Sequence, residues 1–466
     1  MRGAVAAAEF AIARMNSFIW SPFMLAVLLG TGFYFSVRTG FIQVFKLKSV
    51  LRETVGKAFR SGGAKASKGG ITPFQALSTA LGGTLGTGNI AGVAAAITIA
   101  GPGAVFWMWF SALFGMMTKY AEIVLAIRYR RRDARGEWLG GPMIYIGEGL
   151  RMKRLAAAYA FLGVAASFGV GNLVQANAVS AAVSDAFGVP PLYTGICLAA
   201  IVGLTVVGGI KNIASVTEKV IPFMSVLYTL SALLVILCRW HALPRAAALI
   251  LSGAFTPAAP IGGFAGAAVS VAVQKGISRG IFTNEAGLGS ASIAHAAAET
   301  DHPARQGLWG IFEVFFDTVV MCSVTAFAIL STDVWTSGLT GVSLTIAAFD
   351  TVLRGAGKYV IAVSLAVFAF ASILAWSFYG KKCAAYLFGE RCNNYYLTAF
   401  VAAAALGAIT APHLVWELSD ALNGLMAVPN MIGLICLSGV VIRLTKDGLR
   451  KMRFHVKVLS IVDKKT

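Results

Sequence analysis

The chain alternates between long apolar runs and short polar segments, many of them basic, over almost its whole length. A helix needs about 20 consecutive, mainly apolar residues to cross the hydrocarbon core of a bilayer. Such runs predict eleven membrane-spanning helices, at residues 18–37, 77–100, 103–127, 156–182, 191–209, 214–238, 262–283, 307–330, 358–379, 395–411 and 418–442. The fifth run is short, and the seventh is interrupted by polar residues.

The composition argues against a soluble protein of this size. Charged residues make up 13% of the chain and apolar residues 57%, whereas a soluble domain carries about 25% charged residues. The net charge of +19 at first suggests a nucleic-acid partner. The basic residues lie between the apolar runs, however, where they orient helices in a bilayer. We therefore expect a lipid bilayer as the environment and no nucleic-acid partner.

The basic residues are distributed very unevenly between the two sides of the membrane. With eleven spans, 32 of the 39 Lys and Arg residues, Lys275 and Arg279 among them, fall on one side and 6 on the other, while Lys119 lies inside a span. Cytoplasmic loops carry the excess of Lys and Arg. The sequence therefore predicts a multi-pass protein of the cell inner membrane, with its N-terminus outside and its C-terminus in the cytoplasm.

Two of the apolar runs are poor helices. Five of the eleven residues from Gly82 to Gly92 are glycines, and each glycine costs about 1 kcal/mol relative to alanine in a helix. A second interruption is predicted at Gln274–Gly280. Non-helical backbone at membrane depth is tolerated only inside protein or beside a polar cavity, so the two breaks predict a binding site. Close packing of intact helices through glycine is the alternative interpretation.

The two breaks are five spans apart and enter the membrane from opposite sides, which is typical of an inverted repeat in a secondary transporter. We therefore predict an all-α membrane protein with a five-plus-five inverted repeat and one extra N-terminal helix. The predicted segments are an N-terminal helix with a basic cytoplasmic loop at 1–70, a first repeat at 71–240, a second repeat at 241–442 and a basic cytoplasmic tail at 443–466.

Three stretches of sequence give the chain a family resemblance. They are GTGNIAG at 86–92, GPGAVFWMW at 101–109 with GMMTKYAE at 115–122, and GIFTNEAGLGS at 280–290 with IAHA at 293–296; GGPM at 140–143 also fits. From about residue 70 to residue 440 the chain resembles the alanine or glycine:cation symporters, the sodium:alanine symporters. Ala100, Thr283 and Ser292 depart from that family's pattern. The resemblance implies a LeuT-type fold, alternating access and sodium-driven uptake of alanine or glycine, with sodium as the coupling ion and no other cofactor.

The resemblance also implies an ion site. The spacing of the glycines before Asn89 is similar to that in the first broken helix of the neurotransmitter:sodium symporters. By that similarity the carbonyl groups of Gly82 and Leu85 would face sodium, and Ser372 in the ninth span would add its hydroxyl group. Trp376 follows one turn later on the same helix face, where it would border the substrate cavity; ordinary apolar packing is the alternative.

A neutral amino acid needs donors for its carboxylate, acceptors for its ammonium group and a cavity of limited volume. The N-terminal end of a half-helix suits the carboxylate, which favours the segment after Gly86. Gln175, midway along the fourth span, is predicted to point into the cavity, with interhelical hydrogen bonding as the alternative. The predicted substrate-binding residues are Thr87, Gly88, Asn89, Gln175, Gln274, Gly276, Ile277 and Trp376.

Ionisable residues inside membrane spans are costly to bury and therefore informative. Six residues are predicted to form a gate or ion pairs: Lys119, Glu122, Arg279, Glu285, Glu313 and Asp317. Lys119 and Glu122 share a helix face and are expected to pair with each other, or with Glu285 and Arg279. Asp317 is expected to bind Arg279 or a hydroxyl group, and a second cation or proton site is the alternative.

Other functions fit the sequence less well. A channel would show a repeated filter, whereas the two breaks here differ from each other. A membrane enzyme would show a compact cluster of catalytic or metal-binding side chains, and the five histidines, mostly in or near loops and tails, form none. A carrier of the same fold for another small solute is excluded only by the family resemblance. The sequence thus predicts a carrier rather than an enzyme, without choosing between alanine and glycine and without predicting an oligomeric state.

Overall fold

The computed structural model describes residues 2–56, 70–134, 136–256, 265–409 and 412–452. The first residues of the predicted seventh span, 262–264, lie outside the described residues. So do the basic residues predicted at 57–69 and residues 453–466 of the predicted tail. Where the structure describes the chain, it is almost entirely helical, as predicted.

The helices of the first half are α1 (Arg2–Ile19), α2 (Pro22–Thr39), α3 (Ile42–Phe45), α4 (Leu47–Glu53), α5 (Pro73–Thr84), α6 (Val93–Ala100), α7 (Gly103–Tyr129), α8 (Pro142–Ile144), α9 (Lys153–Phe168), α10 (Val174–Phe187), α11 (Pro191–Val206), α12 (Gly209–Cys238) and α13 (Leu243–Phe255). Those of the second half are α14 (Ala265–Asn284), α15 (Ser290–His295), α16 (Pro303–Val314), α17 (Ser323–Ser331), α18 (Gly341–Leu353), α19 (Gly357–Phe388), α20 (Asn393–Gly407), α21 (Pro412–Cys436) and α22 (Ser438–Lys451).

Short irregular segments connect or interrupt these helices. The described residues contain π-helical turns at Gly88–Gly92, Tyr145–Gly149, Gly169–Leu173 and Phe315–Cys322. Short 3-10 turns lie at Trp240–Ala242, Val334–Thr336 and Glu390–Cys392. An antiparallel hairpin of strands β1 (Arg131–Arg132) and β2 (Trp138–Leu139) follows α7, with Arg131 paired to Leu139.

Each of the eleven predicted runs overlaps a helix. Seven helical segments of the described chain are long and apolar enough to cross a membrane, and the bent pair of α5 and α6 brings the number to eight. Helix α11, at the predicted fifth span, is apolar but shorter than these. The chain is therefore a multi-pass membrane protein, and the total of eleven spans stays a prediction.

Helices α7 and α19 form the centre of the bundle. The most apolar stretch of α7 is 89% buried and that of α19 is 72% buried, against 39% for α12. Helix α7 packs against α14 and α16, and α19 packs against α9 and α10. Peripheral helices expose large apolar side chains such as Leu204, Val207 and Phe223. An exposed apolar surface of this kind marks contact with the hydrocarbon core of a membrane.

The first predicted helix break is confirmed. Helix α5 begins at a capping box in which Thr72 and Gln75 satisfy each other's backbone N–H groups. It ends at Thr84, because Leu85 adopts an extended conformation with φ −74° and ψ 103°. The axis bends by 51° between α5 and the helical segment Gly88–Ala100.

The second break was predicted at the wrong place. Gln274–Gly280 lies inside the uninterrupted helix α14, and the chain leaves the helix only after Asn284. The backbone then takes positive φ angles at Glu285 (53°), Gly287 (99°) and Gly289 (79°) before α15 begins. Gly276 stays helical because it packs closely on α7, where an added Cβ would lie 2.5 Å from the Ala104 carbonyl oxygen. This is the packing role of glycine that the sequence left open.

Candidate substrate and ion site

The three predicted ion ligands lie together at the first helix break. The Ser372 hydroxyl on α19 donates to the carbonyl oxygen of Gly82 at 2.8 Å and lies 3.3 Å from that of Leu85. Gly82 allows this approach, since an added Cβ would lie 3.2 Å from the Ala371 carbonyl oxygen. Three oxygen atoms from two helices thus converge on one point, a donor set that suits a hard cation.

Asn89 holds the broken segment together. Its Oδ1 accepts a hydrogen bond from the Gly86 N–H at 3.1 Å, and its Nδ2 donates to Asp317 Oδ1 at 2.8 Å. The Thr318 hydroxyl donates to Asp317 Oδ2 at 2.8 Å and accepts from Asn284 Nδ2 at 3.1 Å. Asp317 therefore links the two helix breaks through the Thr318 hydroxyl group. Arg279, the other expected partner of Asp317, pairs with Asp420 instead.

Several buried polar atoms near the first break have no hydrogen-bond partner among the described residues. They are Thr87 Oγ1, Gln175 Oε1 and Tyr379 Oη; on α21, both polar side-chain atoms of Asn423 also lack a partner. More than about 90% of buried polar groups in folded proteins are paired. Unpaired atoms on three different segments around one helix break indicate a site for a polar ligand.

Two of these side chains reach the broken helix directly. A Cβ placed on Gly86 would lie 3.2 Å from Gln175 Oε1 and 2.9 Å from Ser372 Oγ, and one on Gly83 would lie 3.0 Å from Tyr379 Oη. Gln175 thus points toward the broken helix beside the ion ligands. Sequence reasoning missed Tyr379 and Asn423, because an aromatic or amide side chain in an apolar span gives no sign of whether it has a partner.

Trp376 is buried one turn after Ser372. Its ring packs on the π-helical turn of α9 and α10, where Gly171 leaves it room, and lies 5.5 Å from the Tyr379 ring. The indole fixes the position of this turn beside Gln175. A direct border with the substrate stays a prediction.

A cavity of about 850 Å³ lies between α1, α6, α14 and α21. It is lined by Ala13, Asn16, Ser17, Trp20, Ala95, Gln274, Lys275, Ser278, Arg279, Phe282, Thr340, Glu417 and Asp420. Of the predicted wall residues, Gln274 lines the cavity and donates to the Trp20 carbonyl oxygen at 2.8 Å. Gly276 faces α7 instead, and Ile277 belongs to the buried apolar core.

The lining of this cavity contradicts the side of the membrane predicted for Lys275 and Arg279. Both residues lie inside α14, beside Trp20 and Thr340, which the predicted topology places near the outer surface. Their assignment to a cytoplasmic loop is therefore wrong. Arg279 pairs with Asp420 on α21 at 3.5 Å, and this partly exposed ion pair joins two walls of the cavity.

Glu122 holds the second break. Its Oε1 accepts from the backbone N–H groups of Gly287 at 2.8 Å and Gly289 at 3.1 Å, and from Asn430 Nδ2 at 2.7 Å. The Ser290 hydroxyl donates to the Glu285 carboxylate. The carboxylate of Glu122 thus ties α7, the α14–α15 break and α21 together.

Lys119 pairs with a residue other than Glu122. Its Nζ lies 3.1 Å from Glu313 Oε1, and His295 Nε2 lies 3.1 Å from Glu313 Oε2. Gln306 contacts the other ring nitrogen of His295 at 2.8 Å. All four side chains are fully buried. The predicted pairing of Lys119 with Glu122, Glu285 or Arg279 is therefore wrong, although the predicted role as an internal strut fits this network.

The sequence pattern that defines the sodium:alanine symporter family matches residues 5–458. The sodium/alanine symporter AgcS of Methanococcus maripaludis is 47% identical over 440 residues, which cover 93% of this chain and 95% of that protein. The probable sodium/glutamine symporter GlnT of Bacillus subtilis is 38% identical over 451 residues, covering 96% of this chain and 91% of that protein.

Solved structures show the fold. The chain is similar to MhsT in complex with L-phenylalanine, with a TM-score of 0.57 and 14% identity over 82% of this chain and 99% of that one. It is also similar to a Na+-coupled sialic acid symporter, with a TM-score of 0.54 and 14% identity over 91% of this chain and 86% of that one. The predicted LeuT-type fold is thereby confirmed. The protein is a cation-coupled amino-acid carrier, and the chain belongs to the sodium:alanine symporter family.

Proposed function

We propose that this protein carries alanine or glycine together with sodium into the cytoplasm by alternating access. The observation that supports this most directly is the convergence of Ser372 Oγ with the carbonyl oxygens of Gly82 and Leu85. This donor set stands beside buried polar atoms, among them Gln175 Oε1, that have no partner in the described structure. An ion site next to buried polar groups that can bind a second solute is the arrangement that couples one solute to the other.

In this proposal sodium binds Gly82 O, Leu85 O and Ser372 Oγ. The substrate carboxylate lies at Thr87 and Gly88, beyond the end of α5. Gly88 lies against α14, since an added Cβ would be 3.1 Å from Thr283 Oγ1. This close contact leaves little volume around the carboxylate site, which favours a small amino acid.

The two faces of the bundle support alternating access. On one face the cavity of about 850 Å³ reaches down to the Arg279–Asp420 pair. On the other, Glu122 binds the second helix break to α7 and α21, and the Lys119–Glu313 pair joins α7 to α16. We propose that the first face opens outward and that the buried networks close the cytoplasmic side in this state.

The orientation rests on the basic residues. With Lys275 and Arg279 assigned to the interior of α14, 30 Lys and Arg residues remain on the cytoplasmic side against 6 outside. The asymmetry still favours an N-terminus outside and a C-terminus in the cytoplasm of a cell inner-membrane protein.

Coupling to sodium supplies the driving force that a neutral amino acid lacks. One monovalent cation moving down a membrane potential gains about 2.3 kcal/mol per 100 mV. At about 1.4 kcal/mol per factor of ten, this supports roughly fiftyfold accumulation. A sodium gradient adds to that value.

The test is uptake of labelled alanine, glycine and glutamine into proteoliposomes that contain the full chain. We expect uptake of alanine or glycine with an inward sodium gradient and none with potassium in its place. Uptake that ignores sodium would refute the coupling ion. Uptake of glutamine without alanine or glycine would refute the proposed substrate and leave the symport mechanism standing.

A further inference from the structure

Asn423 on α21 is the most incompletely paired buried amide of the described chain. Its side chain is fully buried, and neither Oδ1 nor Nδ2 has a hydrogen-bond partner among the described residues. Burying a polar group without a hydrogen-bond partner destabilises a protein. An amide that carries this penalty at both ends is expected to meet a ligand in the working protein.

The register of α21 places Asn423 on the face that meets α14 and the break after it. Asp420, three residues earlier, pairs with Arg279 of α14, and Asn430, seven residues later, donates to the Gly287 carbonyl oxygen at 2.9 Å. Positions three and seven apart share a helix face, so Asn423 lies on the face of α21 that follows α14. A rise of 1.5 Å per residue puts it about 4.5 Å below Asp420 along the axis.

The positions next to Asn423 show which element α21 contacts besides α14. Ser419 and Leu422 pack on the π-helical turn of α9 and α10, since a Cβ on Gly169 would lie 3.0 Å from Ser419 Oγ and 3.6 Å from Leu422 Cδ1. Gln175 follows this turn and points its unpaired Oε1 at Gly86. Asn423 therefore lies between α14 and the π-helical turn that precedes Gln175. It is one helical turn further along α21 than Asp420, which lines the cavity.

The charged residues that line the cavity favour one orientation of a bound zwitterion. The α14 wall carries Lys275 and Arg279, and the α21 wall carries Glu417 and Asp420. An amino acid in this field has its carboxylate toward α14 and its ammonium group toward α21. The proposed carboxylate site at Gly88 is likewise the one that abuts α14.

We propose that Asn423 Oδ1 accepts a hydrogen bond from the α-ammonium group of the bound amino acid. This assignment rests on the proposed function and names the group that completes its substrate site. A neutral amide oxygen suits the task because it accepts from a cation without adding a second charge below Asp420. The opposite arrangement, with Nδ2 bound to the carboxylate, is distinguished by the experiment.

The experiment uses the full chain with Asn423→Leu and Asn423→Asp in proteoliposomes and in detergent. Leucine has the same side-chain branching, with two methyl groups in place of the amide oxygen and nitrogen, and it removes both unpaired atoms. Since hydrogen bonds to charged groups are the strong ones, Asn423→Leu is expected to raise the KM for alanine at least about tenfold. Its thermal unfolding midpoint without substrate is expected to be equal or higher, because the buried penalty is gone. Asn423→Asp restores an acceptor, so its KM is expected closer to that of the unmodified chain.

Asn430→Leu is the matched control, because the Asn430 amide is paired with Glu122 and the Gly287 carbonyl. Its unfolding midpoint is expected to fall. A similar fall in Asn423→Leu, or an unchanged KM for alanine, would overturn the assignment. A higher KM in Asn423→Asp than in Asn423→Leu would overturn it in favour of a carboxylate contact. Absence of sodium-driven amino-acid uptake by the unmodified chain would instead refute the proposed function.

Discussion

The carboxylate of Glu122 accepts a 2.8 Å hydrogen bond from the backbone N–H of Gly287, at the point where α14 gives way to α15. Gly287 has a φ of 99°, a conformation that leaves its N–H outside any helical ladder. The same carboxylate oxygen also serves the Gly289 N–H and the Asn430 amide. One buried side chain thus accepts from the donors that a broken helix exposes at membrane depth, where no water is available to accept from them.

Replacement of Glu122 should separate hydrogen bonding from charge. Glu122→Ala leaves three buried donors without an acceptor, and we expect the free energy of unfolding to fall by about 2 kcal/mol or more. Glu122→Gln keeps a carbonyl oxygen in the place of Oε1, so a loss of about 1 kcal/mol is expected. Unfolding midpoints in detergent provide the measurement. Equal damage in both variants would show that the negative charge, not the acceptor, is what the break requires.

Ser372→Ala should weaken sodium binding. The hydroxyl is one of three oxygens in the proposed ion site, and bonds to charged groups contribute about 1.5–3 kcal/mol. We therefore expect the sodium concentration for half-maximal uptake to rise at least about tenfold. Ser377→Ala is the matched control on the same helix, because within the described part of the chain the Ser377 hydroxyl bonds only to the Leu374 carbonyl, at 2.6 Å. Identical sodium curves for the two variants would rule out Ser372 as a ligand.

Lys119 and Glu313 should behave as a coupled pair. Removing one partner of a buried ion pair costs about 3–5 kcal/mol, because the other charge is left uncompensated. Lys119→Met is therefore expected to destabilise the protein strongly. Lys119→Met with Glu313→Gln should recover most of the loss, since glutamine still binds His295 without a buried charge. A double variant no more stable than Lys119→Met would contradict the pairing, and denaturant unfolding of both proteins decides the matter.

The family resemblance predicted the three residues that meet at the proposed ion site. Gly82 and Leu85 belong to one glycine-rich segment, and the position of Ser372 follows from the resemblance of its helix to a known type. The buried partners could not be found in this way. Lys119 and Glu313 are 194 residues apart, and Glu122 and Asn430 are 308 residues apart. Helix periodicity predicts which residues share a helix face, but it does not predict which helices pack together.

The second break shows a different limit. Gln274–Gly280 combines polar and glycine residues, which weakens a helix in isolation, yet it forms a regular part of α14. Tertiary packing on α7 overrides the local propensity there. The actual break contains Gly287 and Gly289, and Glu122 on α7 binds the N–H groups of both. This acceptor is distant in sequence. Sequence alone therefore does not distinguish a glycine that breaks a helix from a glycine that packs against a neighbouring helix.

Gly276 distinguishes these two roles directly. A Cβ at this position would lie 2.5 Å from the Ala104 carbonyl oxygen and 2.6 Å from Trp107 Cβ, so Gly276→Ala forces α14 away from α7. Overpacking of this kind costs about 1–3 kcal/mol. We expect a lower unfolding midpoint together with reduced alanine uptake. In Gly30→Ala, nothing lies within 4 Å of the added methyl group. The midpoint should be unchanged or higher, because alanine favours a helix over glycine by up to about 1 kcal/mol. If Gly276 were instead a hinge, its substitution would slow transport while leaving the midpoint as in the unmodified chain, and the packing role assigned to it would be wrong.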